Sequence, residues 1–451
     1  MKKPMNRWVL AIIGVIVLVF AGMVYAWTVL SAPIAAQYPE WTKAQLSLTF
    51  TLVMFCFCIG GVVGGILSKK FKPWVILISS AVLFILGFFI ASRATSLIVL
   101  YIGFGVLAGF GSGFAYNAVM TFVGKWFPDK QGLISGILLM GFGIGAFIIG
   151  KVYTALTPSD GTGAWRTSFL FLGIITAVIV AVSMFFISAP PLDWQAPAPK
   201  KASKKKPVQS YEEINTITMF KRSSFWLFFL WAICLSAAGL MVVSQGTPMA
   251  MESMQITAES ATAAQMGSIA TIVGFISIFN GVGRIIFGFL FDKIGRFLTM
   301  LLGGIVFIVA MLLVIWALKG HSTVVLVFAY IASGIGYGCV TPTNSAFASL
   351  FYGMKNYPVN LPVINMNLLI ASFGSTIAGA VYDSSGSYVT VIILVIGLLV
   401  VGTILGFFIR KPKHPQGLEP QVAEEEISGE EIVEEETDEL PEVEIETAAQ
   451  E

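Results

Sequence analysis

The feature that most limits what this chain can become is a series of apolar runs, each near twenty residues or longer, separated by short polar stretches. A hydrocarbon core about 30 Å thick needs about 20 apolar residues in helix, and in lipid only helices and closed barrels satisfy their own backbone groups. The runs are unbroken rather than alternating, so they predict helices. Segmentation gives twelve spans: 8–30, 45–67, 74–91, 97–122, 132–150, 166–188, 224–250, 264–290, 297–318, 323–348, 361–381 and 388–409. The fold class expected is an all-α membrane protein. Composition agrees, with 56% of the 451 residues apolar and 12% charged, against about 25% charged in soluble domains.

Where the few charges stand sets orientation. Of the 27 basic residues, 21 fall at the two termini or in the even-numbered loops, five in the odd-numbered loops when Arg166, the first residue of the sixth span, is counted with the fifth loop, and one inside a span. Basic residues are retained on the cytoplasmic side. The expectation is a multi-pass protein of the cell (inner or plasma) membrane with both termini cytoplasmic, its first run at Trp8–Leu30 retained as a span rather than cleaved.

The longest internal loop carries Pro190-Pro191 and the cluster Lys200-Lys201, Lys204-Lys205-Lys206, and divides the spans six and six. The expected organisation is an N-terminal half at 1–188, a cytoplasmic linker at 189–222 able to touch anionic lipid, a C-terminal half at 223–410, and a tail at 411–451. Fifteen of the 25 acidic residues lie in the last 42 positions, and such a tail is expected to be disordered.

Several function classes find no support. Cys56 and Cys58 point about 200° apart on a helix and make no metal pair. No basic face with interleaved aromatics suggests nucleic acid. With only His321 and His414, both outside the spans, no nucleophilic triad can be assembled. Gly145 to Val152 nearly spells a phosphate loop, but Val152 stands where a Ser or Thr is needed and the segment lies in a span. Gly105, Gly109 and Gly113, like Gly141 and Gly145, recur every four residues and predict close helix approach. No enzyme activity, cofactor or metal is expected, and the chain is expected to be a monomer.

Arg284 is the basic residue left inside a span. It precedes Asp292 by eight residues, which places it about 12 Å from the cytoplasmic end at 1.5 Å per residue. A mid-membrane arginine costs about 2.5–3.5 kcal/mol even on insertion scales. No run holds an Asp or Glu to offset it, so a carboxylate substrate is the expected counter-ion, held by the guanidinium fork. Hydrogen bonds to carbonyls or to Asp292 are the alternative.

The two halves repeat. Gly64-Gly65 through Lys72 matches Gly288 through Arg296 at an offset of 224, and Ala108-Gly109-Phe-Gly111-Ser-Gly113 matches Ser333-Gly334-Ile-Gly336-Tyr-Gly338 at 225. Phe127-Pro-Asp-Lys130 falls opposite Tyr352-Gly-Met-Lys355 at 225 as well. Parallel repeats joined by a long loop suggest a rocker-type transporter with its site between the halves.

With that layout, the Gly288–Arg296 motif resembles the major facilitator superfamily. Val24-Tyr25-Ala-Trp27, Gly113-Phe-Ala-Tyr116-Asn117, Lys125-Trp126-Phe127-Pro128-Asp129-Lys130-Gln-Gly132 and Phe351 to Tyr357 resemble its oxalate/formate antiporter family, related to the monocarboxylate transporters. The resemblance covers about residues 5–410. It implies the major facilitator fold, twelve helices in two pseudo-symmetric six-helix halves, and a carboxylate-binding role for Arg284, with Tyr25, Tyr116, Asn117 and Tyr337 lining the cavity.

Two departures bear on the substrate. The family's oxalate carriers have a lysine in the eleventh span, where this chain offers Asn365, Asn367 and Ser372. Proton-coupled animal relatives carry an Asp one turn before the arginine, where this chain has Asn280, counted here among the substrate-binding residues. Ser333 replaces a bulky aromatic, which suggests a roomier cavity. The expected function is alternating-access transport of a small monocarboxylate of the lactate, formate or pyruvate type. Proton symport and anion exchange are both open, and so are oxalate/formate antiport and a non-transporting sensor.

Overall fold

The computed structural model describes residues 6–157, 163–191, 194, 213–256 and 262–410. The Lys200–Lys206 cluster, Glu259, His414 and the acidic tail lie outside the described residues.

Every regular element among the described residues is helical. The spans are α1 (Arg7–Ala26), α2 (Lys43–Lys70), α3 (Pro73–Ser92), α4 (Leu97–Gly124), α5 (Gln131–Leu156), α6 (Trp165–Ser183), α7 (Ser223–Ser253), α8 (263–294), α9 (296–319), α10 (Thr323–Tyr352), α11 (Tyr357–Ser385) and α12 (Tyr388–Phe408). Helices α8 and α9 meet at Gly295, whose φ of 80° and ψ of 174° end one helix and start the next. Glycine alone adopts such a backbone without strain.

The second helix of each half starts alike in a way the sequence pattern had not revealed. Thr42 and Gln45 form a reciprocal capping box at the start of α2, and Thr262 and Gln265 form the same box at the start of α8. Apolar runs underestimate several helices, because α5, α7, α10 and α11 continue into polar turns that hydropathy does not count. Others are interrupted where local chemistry demands it. Helix α1 tightens to a 3-10 turn at Gly22–Ala26. Helix α10 breaks at Gly338-Cys339, where Pro342 has no N–H to offer the Gly338 carbonyl.

The glycine strips act as the spacing predicts. A Cβ at Gly109 would stand 2.8 Å from the Val53 carbonyl oxygen, so α4 lies against α2. One at Gly141 would stand 2.9 Å from the Val15 oxygen, which puts α5 against α1.

A second strip measures the joint between the halves. Gly267, Gly274, Gly281 and Gly288 are seven residues apart, about 10.5 Å each, and share one face of α8. A Cβ on Gly288 would strike the Gly132 carbonyl of α5. On Gly281 it would stand 3.3 Å from the Met140 side chain, and on Gly274 or Gly267 it would meet nothing within 4 Å. Helices α5 and α8 therefore touch at the end of the bundle that holds Arg7 and Arg410 and diverge toward the other.

That touching end is also fastened by polar contacts. Asp292 accepts from the backbone N–H groups of Gly132 and Leu133 at 2.8 Å each, capping the start of α5. Ser135 and Ser345 share a hydrogen bond of 2.5 Å, and Lys69 donates to Asn356 at 2.6 Å.

Candidate functional site

The site lies where the α5–α8 wedge begins to open. Arg284 projects from α8, half-buried, with its guanidinium on the backbone of α5. Its Nε donates to Asn280 Oδ1, one turn earlier on the same helix, at 2.8 Å, and its Nη1 donates to the Leu139 carbonyl. Gly143 makes room for it, since a Cβ there would stand 2.8 Å from Nη1 and 3.0 Å from the guanidinium carbon.

No carboxylate answers this charge among the described residues. The ion pair found there joins Arg7 to Asp129 at 2.6 Å. Asp292, the alternative partner raised by the sequence, spends both carboxylate oxygens on α5 amides. Of the five N–H donors of Arg284, two bond to the described residues, leaving the second Nη1 proton and both Nη2 protons without a partner among them.

Three tyrosines lie near it. The Tyr337, Tyr25 and Tyr116 hydroxyls all lie within electrostatic reach of the guanidinium, and Tyr25 is in reach of Tyr337 and Tyr116 in turn. Tyr25 and Tyr337 are half-buried. Tyr337 lies flat against Gly239 of α7, where a Cβ would have no room. Tyr116 is 5% exposed and accepts a hydrogen bond from Asn365 Nδ2 of α11 at 3.0 Å.

Asn117 faces elsewhere. Its Nδ2 donates to the Gly61 carbonyl at 3.0 Å and to the Pro358 carbonyl at 2.7 Å, so the amide ties α4 to α2 and α11. Asn280 meets Arg284 through its oxygen, which orients the guanidinium without neutralising it. Ser333 does not open onto the cavity: it is 1% exposed and donates to the Tyr330 carbonyl. The expected extra room is therefore not at that position. Of the polar residues in α11, Asn365 reaches the site, whereas Asn367 bonds Ser236 and Ile364 and Ser372 bonds Leu369.

Residues the sequence reading passed over complete the wall. Phe142 packs edge-on against Tyr25 at 5.4 Å and Tyr116 at 5.2 Å, and Phe57 against Tyr116 at 5.3 Å. Cys58 also lies within electrostatic reach of Tyr25 and Tyr116. Aromatic rings packed on the tyrosines near a lone cation suit a small organic anion, because they lower the local polarity and strengthen the one charged contact. Aromatic residues abound in the chain, so no pattern singled these out. Gly136 and Gly143, spaced seven apart on α5 like the α8 strip, were the available signal.

Comparison with known proteins agrees with this architecture. An oxalate:formate antiporter of Oxalobacter formigenes is 26% identical over 363 residues, covering 78% of this chain and 80% of that protein. Monocarboxylate transporter 12 of Xenopus laevis is 37% identical over 111 residues, 25% of this chain and 24% of that one. Among solved structures, the Major Facilitator Superfamily transporter FucP in the outward conformation superposes with a TM-score of 0.59 at 15% identity, covering 88% of this chain and 99% of that one. Residues 10–366 match the Major Facilitator Superfamily as a whole, and the chain is a membrane transporter belonging to that superfamily.

Proposed function

We propose that the protein is a secondary transporter of small monocarboxylates that binds the carboxylate on Arg284 and exposes it alternately to the two sides. The observation carrying this reading is a guanidinium that keeps both Nη2 donors, has no acidic partner among the described residues, and sits where the halves diverge. One guanidinium and one carboxylate make a neutral load, which the halves can close over at far lower electrostatic cost than a bare cation. The names of the relatives, an oxalate:formate antiporter and monocarboxylate transporters, support an organic anion. Asn365, rather than a second cation, faces the site from α11, which favours a monoanion over oxalate.

By the distribution of basic residues, the fastened end is cytoplasmic. The structure then corresponds to the state open to the outside of the cell membrane. Coupling is proton symport or anion exchange. A carboxylate at the outer rim, Glu252 in the last turn of α7, is available to the symport reading.

Thermal stabilisation of the purified protein by formate, acetate, L-lactate, pyruvate and oxalate tests the substrate class, because a ligand stabilises the state it binds. Monocarboxylates should raise the melting temperature and oxalate should not. A shift with oxalate alone would replace this reading with oxalate/formate-type exchange. Accumulation driven by an imposed pH gradient, with no substrate inside, separates symport from exchange.

A further inference from the structure

A directed chain of buried amides ends on the site. Asn344 Nδ2 of α10 donates to Asn365 Oδ1 at 3.1 Å, and Asn365 Nδ2 donates to the Tyr116 hydroxyl at 3.0 Å. Asn344 is fully buried, and Asn365 and Tyr116 are each 5% exposed. Asn365 meets the Tyr116 oxygen through its Nδ2 while its Oδ1 faces Asn344, so Asn365 is not the acceptor for the Tyr116 proton. At the far end, Asn344 Oδ1 is buried without a partner among the described residues. A buried acceptor left unpaired costs about 1–3 kcal/mol, so this arrangement needs a compensating return elsewhere.

The return lies at the other end of the chain. A phenol hydroxyl has one proton to donate. The Tyr116 oxygen accepts from Asn365, its proton has no protein acceptor among the described residues, and the hydroxyl lies within electrostatic reach of the Arg284 guanidinium. We infer that Asn365 is a positioning residue that aims the Tyr116 O–H at the substrate carboxylate, giving the site a second, uncharged donor beside the guanidinium. The inference rests on the carboxylate site proposed above. It also explains how α11 contributes to a monocarboxylate site without a lysine: it orients a tyrosine of the opposite half instead of touching the anion.

The test is a double-mutant cycle on the purified full chain. The probe is whichever of formate, acetate, L-lactate and pyruvate the wild type binds most tightly, and the readout is its dissociation constant by titration calorimetry. Asn365→Leu and Tyr116→Phe should each weaken binding roughly tenfold, the loss of one hydrogen bond to a charged group. In the Tyr116→Phe background, Asn365→Leu should weaken it no further. If Asn365→Leu weakens binding equally in both backgrounds, or has no effect in the wild type, Asn365 does not act through Tyr116 and the inference fails. Should the leucine variant not fold, Asn365→Ala is read in the same cycle. Wild-type protein that binds none of the four acids overturns the carboxylate site itself, and this inference with it, an outcome distinct from a flat cycle.

Discussion

The guanidinium of Arg284 rests on the backbone of α5 at Gly143, a residue of the opposite half, where a Cβ would stand 2.8 Å from Nη1. A glycine here is thus part of the site although it has no side chain to offer. The obstructed atom is the end of a flexible side chain, so a larger residue displaces the guanidinium rather than unfolding the helix pair. Gly143→Val should lower substrate affinity by at least about tenfold, the scale of one charge-assisted hydrogen bond, with little change in melting temperature. Calorimetry and thermal denaturation of the variant check both halves of that statement.

Arg284→Lys keeps the charge and removes the fork. The ammonium cannot hold Asn280 and Leu139 while presenting a planar pair of donors to a carboxylate. Affinity should fall by about ten- to a hundredfold, and uptake in proteoliposomes should fall with it.

Asp292→Asn tests the fastening. The carboxylate caps α5 with two backbone hydrogen bonds of 2.8 Å, and losing such a cap costs about 1 kcal/mol. The state closed at this end should lose roughly fivefold in population. With Ser345→Cys, a position within the fastened joint, present in both proteins as the reporter, labelling by a water-soluble maleimide applied from that end should speed up when Asp292→Asn is added.

Gly288 offers a steric version of the same experiment. Its Cβ would strike the Gly132 carbonyl, and backbone cannot step aside as a side chain can. Gly288→Val should hold α5 and α8 apart at the fastened end, raising Ser345→Cys labelling further than Asp292→Asn does. Gly274→Val, at the open end of the same strip, should leave labelling unchanged.

The twelve spans, the repeat and the isolation of Arg284 were legible because they depend on local composition and on the placement of a few charges. The three tyrosines near the guanidinium also came from the sequence, through the family resemblance. What escaped was directional. Asn117 has the residue type and place of a cavity donor, yet its amide turns to Gly61 and Pro358. Ser333 turns to its own helix for the same reason: a hydroxyl finds the nearest carbonyl unless packing prevents it. Phe142 and Phe57 became part of the wall only when α5 and α2 were placed against α1 and α4. The π-helical stretch Tyr101–Ala108 and the 3-10 turn of α1 adjust helix phase in ways apolar periodicity does not encode.

In the proposed transport cycle a carboxylate supplies the charge Arg284 lacks. Counterflow of labelled substrate into proteoliposomes, comparing wild type with Arg284→Gln at equal reconstituted protein, tests it most directly. The wild type should show saturable counterflow of a monocarboxylate and Arg284→Gln none, with the variant still inserted and folded. Counterflow at the wild-type rate in Arg284→Gln would contradict it.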